Sequence, residues 1–148
     1  MRADRLMTVD VTCIDPGMHL AFAWTVMKEL GVRHLPVVEG EKLVGILSHR
    51  DLMLHGQPKA DGTLTFPALS AAEAMTTVLH TCSATATVSH VAEVMVKYRV
   101  GSVPLVGARG ELVGLVTYTD LLRLLIDPEP GARVLPFTWA LHKREKAG

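Results

Sequence analysis

Leu43-Val44-Gly45-Ile46-Leu47-Ser48-His49-Arg50-Asp51-Leu52 is written again as Leu112-Val113-Gly114-Leu115-Val116-Thr117-Tyr118-Thr119-Asp120-Leu121. Ahead of each stands a second matched pair, Gly31-Val32-Arg33-His34-Leu35-Pro36-Val37-Val38 and Arg99-Val100-Gly101-Ser102-Val103-Pro104-Leu105-Val106. Pro36 and Pro104, like Met7 and Met75, are 68 positions apart, whereas Gly45 and Gly114, like Asp51 and Asp120, are 69 apart. The extra residue falls in the turn between two apolar runs, where a folded unit absorbs an insertion without losing strand register. The chain is a tandem repeat, and two copies this small are expected to bury their apolar faces together in one compact module.

Within a copy the pattern predicts strand, helix, hairpin, helix. A β-branched segment, residues 9–14 or 77–82, comes first. Next comes a stretch with apolar side chains at helical spacing: Leu20, Ala23, Met27 and Leu30, or Val88, Val91, Met95 and Tyr98. Two apolar runs around a polar turn (residues 39–42 or 107–111) predict the hairpin. Ser48 or Thr117 then opens a final helix carrying Leu52, Met53 and Leu54, or Leu121, Leu122, Leu124 and Leu125. Residues 55–69 are rich in Gly, Pro and polar side chains and are expected to be a loop. Ser70 is expected to cap a short helix over 71–75, with a counterpart over 4–7. The fold class is α+β, with boundaries at 4–55 for the first copy, 56–69 for the linker, 70–126 for the second copy and 127–148 for a tail.

Composition narrows the function. The 148 residues are 49% hydrophobic, and 15 basic side chains balance 15 acidic ones. The one basic cluster is His142-Lys143-Arg144-Glu145-Lys146, so the stripe needed to follow a nucleic-acid backbone is missing. No apolar run has the length of a signal peptide or a bilayer span, and a soluble cytoplasmic protein is expected. Cys13 and Cys82 lie one position out of register and form no CxxC pair, which points to reduced thiols. The seven histidines show no spacing of a recognisable metal site; Cys13, Cys82 and His80 are the best candidates if a metal binds. No nucleophile has an assignable base, and no phosphate-binding glycine loop occurs, so an enzyme is not expected. The apolar stretch Val134-Leu135-Pro136-Phe137-Thr138-Trp139-Ala140-Leu141 is expected to pack back on the chain or to cover a partner.

Chemistry concentrates at the turn from Gly45 to Asp51 and from Gly114 to Asp120. A glycine admits close approach to the strand, a hydroxyl stands at the strand-to-helix junction, and a carboxylate follows three residues later. Helix-start amides attract anions, and an Asp there suits the paired hydroxyls of a ribose. The same Ser/Thr-x-x-Asp pattern is also a capping box. Asp reaches back less well than Glu, so finding Asp in both copies points beyond capping.

The doubled pattern, each time preceded by a Met-Thr segment, closely resembles the CBS-domain family over residues 4–126. The resemblance implies a pair of motifs with pseudo-twofold symmetry, called a Bateman module, which often forms a homodimer. It implies binding of AMP, ADP, ATP or S-adenosylmethionine, with no other cofactor, in clefts where the Ser/Thr-x-x-Asp segment of one motif meets the first strand and pre-proline residues of the other. Carried over, one cleft would use Leu115, Thr117, Thr119 and Asp120 with Thr12, Val32, Arg33 and His34. The second would use Ile46, Ser48, Arg50 and Asp51 with His80, Val100, Gly101 and Ser102. A basic residue at the place of Arg33 reaches phosphates in some members; Gly101 stands at the matching place of the second copy, so unequal sites are expected, with Arg50 a substitute cation. The implied role is a stand-alone regulatory module acting on an unknown protein of another chain. The competing role is a dimerisation or docking adapter of the same fold whose Asp residues only cap helices.

Overall fold

Valine, isoleucine and leucine alternate poorly with polar residues in the apolar runs of this chain, as in strands covered on both faces. The computed structural model describes residues 1–7 and 11–128 and the backbone of 139–142. In the first copy β1 (Val11–Ile14) leads to α1 (Leu20–Leu30), then to the hairpin β2 (His34–Glu39) and β3 (Lys42–Ser48), and to α2 (His49–His55). The connection to the second copy contains a small hairpin, β4 (Gln57–Pro58) with β5 (Leu64–Thr65), where a loop was expected, and then α3 (Ala71–Ala74). The second copy repeats the order with β6 (Cys82–Ser83), α4 (Val88–Tyr98), β7 (Ser102–Val106), β8 (Leu112–Thr117) and α5 (Tyr118–Ile126). The α+β repeat read from the sequence is the observed fold.

Each copy builds the same sheet. β1 runs parallel to β2, and β6 parallel to β7. The hairpins are antiparallel, with Pro36 opposite Ile46 and Pro104 opposite Leu115, and both slip register one step before the turn, at Val37/Val38 and Leu105/Val106. The same slip, a β-bulge, occurs in each hairpin, so the extra residue of the second copy lies beyond it, in the turn. A further strand, β9 (Trp139–His142), lies beside β1 in the order β3-β2-β1-β9, so this part of the tail returns to its own chain. Val9, the stretch 129–138 and the basic residues 143–146 lie outside the described residues.

The described residues divide into two units: 12–79 with 141–142, and 1–7, 11 and 80–128 with 139–140. In the first, Ile14, Met18, Leu20, Ala23, Val26, Met27, Leu35, Val37, Leu47, Leu52 and Ala71 form the core. In the second, the core is Ala3, Cys82, Val91, Met95, Val103, Leu105 and Val116. Ala71 of α3 and Ala3 of a single 3-10 turn (Ala3–Arg5) are both fully buried, so each lead segment is packed into the core of the copy it does not introduce. Thr76 exchanges both backbone bonds with Ile46, at 2.9 and 3.0 Å, continuing β3's sheet outward. Ala3 N–H donates to the Ala86 carbonyl at 2.7 Å, and Val88 N–H to the Met1 carbonyl at 2.8 Å.

Two local expectations are corrected. Leu30 and Tyr98, placed on the apolar helix stripes, are 47% and 44% exposed; α1 buries Val26 instead. Both sit in the last turn, beyond the sheet they were expected to cover. Residues 77–81 are not strand, because β6 is confined to Cys82–Ser83. Met53, Leu54, Leu122 and Leu125 are exposed on the final helices, which bury only the side facing their own sheet.

Candidate functional site

β3 carries its extended backbone through Ser48, after which α2 begins. The Asp51 N–H donates to Ser48 Oγ at 3.0 Å, and the Ser48 N–H donates to Asp51 Oδ2 at 2.8 Å. The His49 N–H donates to the Arg33 carbonyl at 2.7 Å. His34 stands opposite Ser48 in the β2–β3 ladder. Its half-buried imidazole is pushed below the usual histidine range by burial, against the pull of the Asp51 carboxylate and with further lowering from Arg33 and His49. The His49 ring packs on Trp24 of α1 at 5.2 Å between centroids, and Trp24 packs on Phe66 at 5.7 Å. Arg33 and Arg50 are exposed, Val32 is 37% exposed, and Ile46 is buried opposite Pro36. Thr12 lies half-exposed in β1.

The second copy builds the same turn from different side chains. The Thr117 N–H donates to Asp120 Oδ2 at 2.8 Å, and Thr117 Oγ1 donates to the same oxygen at 3.1 Å. The Asp120 N–H reaches Thr117 Oγ1 at 3.4 Å, and the Tyr118 N–H donates to the Gly101 carbonyl at 3.2 Å. Ser102 stands opposite Thr117; Ser102 and Asp120 are buried polar side chains. Leu115 is buried opposite Pro104, Thr119 is exposed, and Val100 and Gly101 are partly exposed. The His80 ring stacks on Tyr98 of α4, with centroids 3.7 Å apart and planes at 12°.

The structure therefore brings together each copy's own pre-proline segment and its own Ser/Thr-x-x-Asp turn: Arg33 and His34 with Ser48 and Asp51, Gly101 and Ser102 with Thr117 and Asp120. The crosswise grouping expected from the resemblance joins residues of two separately described units and stays an expectation. Two physical premises change. Asp reaches the cap as well as Glu does: Asp51 and Asp120 accept at 2.8 Å, and Glu73 accepts from Ser70 N–H at 2.7 Å. Both capping boxes are complete, so the carboxylates have a structural task whatever else they do. The close approach that the glycines allow is also explained within the chain. A Cβ on Gly45 would lie 2.3 Å from Met75 Sδ, and one on Gly114 would lie 2.4 Å from Met7 Sδ.

The first and third amides of each helix are spent inside the fold, on the pre-proline carbonyl and on the capping hydroxyl. An anion at either turn must be met mainly by side chains. Among the described residues, no group of three or more His, Cys, Asp and Glu could hold a metal ion. Cys13 and Cys82 are buried free thiols, and burial pushes Cys13 up to about 12 and raises Cys82. No helix among the described residues is long and apolar enough to cross a membrane. The aromatic brace of Trp24, His49 and Phe66 was not foreseen, because three residues from α1, α2 and the linker share no sequence period.

Comparison with known proteins identifies the repeated unit. The model of the CBS domain matches residues 3–56 and again 71–127. An inosine-5'-monophosphate dehydrogenase of Korarchaeum cryptofilum (strain OPF8) is 32% identical over 120 residues, 81% of this chain. The chain spans 23% of that relative's length, and the same share of three further dehydrogenases of this name. The CBS domain-containing protein YhcV of Bacillus subtilis (strain 168) is 28% identical, covering 78% of this chain and 79% of YhcV. Among solved structures, the CBS domain pair of protein MJ0100, in complex with 5'-methylthioadenosine and S-adenosyl-L-methionine, superimposes with a TM-score of 0.72. It is 26% identical, covering 84% of this chain and 99% of that one.

Proposed function

The chain belongs to the CBS-domain family, and from that membership we propose that it is a regulatory module that binds an adenosine-containing ligand at its two Ser/Thr-x-x-Asp turns and passes its presence to a partner protein. The observation that carries this reading is the repetition of one device, a carboxylate fixed by its own cap beside a pre-proline strand end, at equivalent places in both copies. A carboxylate has about four acceptor positions, and the cap of Asp51 engages one oxygen, Oδ2. Adjacent ribose hydroxyls are the matching donors. The adenosine ligands of the MJ0100 domain pair support the ligand class. Ser48 and Thr117 fix each carboxylate, Arg33 and Arg50 supply positive charge, and Ile46 and Leu115 give the strand its apolar flank. Ligand binding acts on the partner through a difference in affinity between two states of the module.

A thermal-unfolding screen against AMP, ADP, ATP, S-adenosylmethionine and NAD, with GTP as control, tests the proposal. A ligand at about a hundred times its dissociation constant adds roughly 2.7 kcal/mol and raises the midpoint by several degrees. Asp51→Ala and Asp120→Ala should each remove affinity, and the double variant should remove all of it. The adapter reading is favoured by the completeness of both capping boxes. It predicts no ligand shift in the parent protein, and for each substitution only the loss of about 0.5–2 kcal/mol expected of a broken cap.

A further inference from the structure

The seven methionines differ in what surrounds their sulfur. Met18, Met27 and Met95 are buried, whereas Met1 and Met53 are 52% and 47% exposed. Met7 and Met75 lie between these extremes, half-buried, at equivalent places in the repeat. Each is seated on a strand glycine. A Cβ on Gly45 would strike Met75 Sδ and lie 2.9 Å from its Cγ, and one on Gly114 would strike Met7 Sδ and lie 3.0 Å from its Cβ and Cγ. Each also packs on the edge of a core, Met75 on that of the first copy and Met7 on that of the second. These seats hold the lead segments. Thr76, next to Met75, exchanges two backbone bonds with Ile46, next to Gly45, and Ala71 earlier in the same segment is fully buried. The Met7 N–H donates to the carbonyl of the fully buried Ala3 at 3.0 Å. The two cysteines compete poorly for an oxidant, because burial raises both thiols and leaves little thiolate.

We propose that Met7 and Met75 are a matched pair of oxidation sites, at which a hydroperoxide converts a seated thioether to a sulfoxide and releases the lead segment from its strand. The step needs only the oxidant. A sulfur lone pair attacks the terminal peroxide oxygen, the S–O bond forms as the O–O bond breaks, and the proton of the attacked oxygen passes to the departing one. Sulfur gives up two electrons, and the peroxide leaves as water or an alcohol. Half burial lets the oxidant reach the sulfur, while the glycine seat leaves the product no place. Towards the strand there is no room even for one carbon atom. The sulfoxide oxygen is a strong acceptor, and pressing it against apolar surface without a donor is costly. The side chain leaves its seat as a result. At the exposed Met1 and Met53 the same oxygen stands in water and disturbs nothing. Met18, Met27 and Met95 are out of reach until the chain opens.

Timed exposure of the full chain to dilute hydrogen peroxide tests the assignment, with peptide mapping by mass spectrometry and thermal unfolding performed on the same samples. Met1 and Met53 should gain oxygen first without moving the midpoint. Met7 and Met75 should follow in the native protein, and their conversion should lower the midpoint by several degrees. Treatment with the two methionine sulfoxide reductases, one for each sulfoxide epimer, should restore it. The variant M7L/M75L keeps the side-chain volume and removes both thioethers, so its midpoint should hold at the same dose. A midpoint unchanged after full conversion of Met7 and Met75 overturns the proposal. So does conversion of these two only in step with Met18, Met27 and Met95, a midpoint that falls with Met1 and Met53 alone, or an equal loss in M7L/M75L. Reduction of both sulfoxides without recovery of the midpoint also overturns it. If M7L/M75L does not fold, the order of conversion and the recovery in the unaltered protein decide the question.

Discussion

Cys13 lies fully buried in β1 with its thiol pushed up to about 12 by burial, so at neutral pH almost none of it is the reactive thiolate. Cys13 should therefore resist a thiol reagent in the native protein and react fully once urea unfolds it; rapid labelling of the native chain at this residue would contradict its placement. His34 gives a pH dependence. Its folded-state value is lowered by burial, so both folded and unfolded chains carry it neutral above about pH 6.5. As pH falls through that value the unfolded chain takes up the proton first, and stability is lost until the folded-state value is passed. His34→Gln should flatten this loss in urea titrations between about pH 7 and pH 5. Gly45 makes a third test, since a Cβ there would lie 2.9 Å from Met75 Cγ as well as against its sulfur. Gly45→Val should cost about 1–3 kcal/mol by overpacking, and Met75→Ala in the same chain should recover part of it, a coupling that two distant sites would not show. The repeat made these glycines visible as landmarks; that their neighbours are Met75 and Met7 depended on where the lead segments pack.

At the scale of elements, the helices that follow the hairpins are short and start on hydroxyl caps, and their stability leans on those caps. Ser48→Ala and Thr117→Ala should each lower stability by about 0.5–2 kcal/mol, and Ser48→Asp should restore most of it, as read from urea midpoints. The caps were legible because a cap is local: Ser48 and Asp51 are three residues apart whatever surrounds them. The outer helix faces were not. Leu122, Leu125 and Ile126 are 60%, 79% and 83% exposed, because α5 has apolar side chains on more of its circumference than one sheet covers. The linker hairpin also escaped sequence reading, since its strands are two residues each and Phe66 gains its place by packing on Trp24 and Gly56.

At the scale of the molecule, the lead segments tie the copies into the chain's two units. Met7→Ala should lower the unfolding midpoint by several degrees, a loss of about 1–3 kcal/mol that is less than for a fully buried methionine, and deletion of residues 2–7 should cost more by also removing Ala3 from the core. An unchanged midpoint in the deletion would show that this segment does not stabilise the second copy. Sequence by itself determined the repeat, the order of elements within a copy and the family, because each is carried by spacings within some 25 consecutive residues or by the identity of two such stretches. Only the tertiary structure decided which side chains gather at each turn. Arg33 and His34 come to Asp51 because β2 and β3 pair antiparallel and bring the start of one strand to the end of the other. Pairing across a sheet, like the return of Ala3 and Ala71 to the opposite copy's core, is a long-range choice made by burial of apolar surface, and no local spacing encodes it.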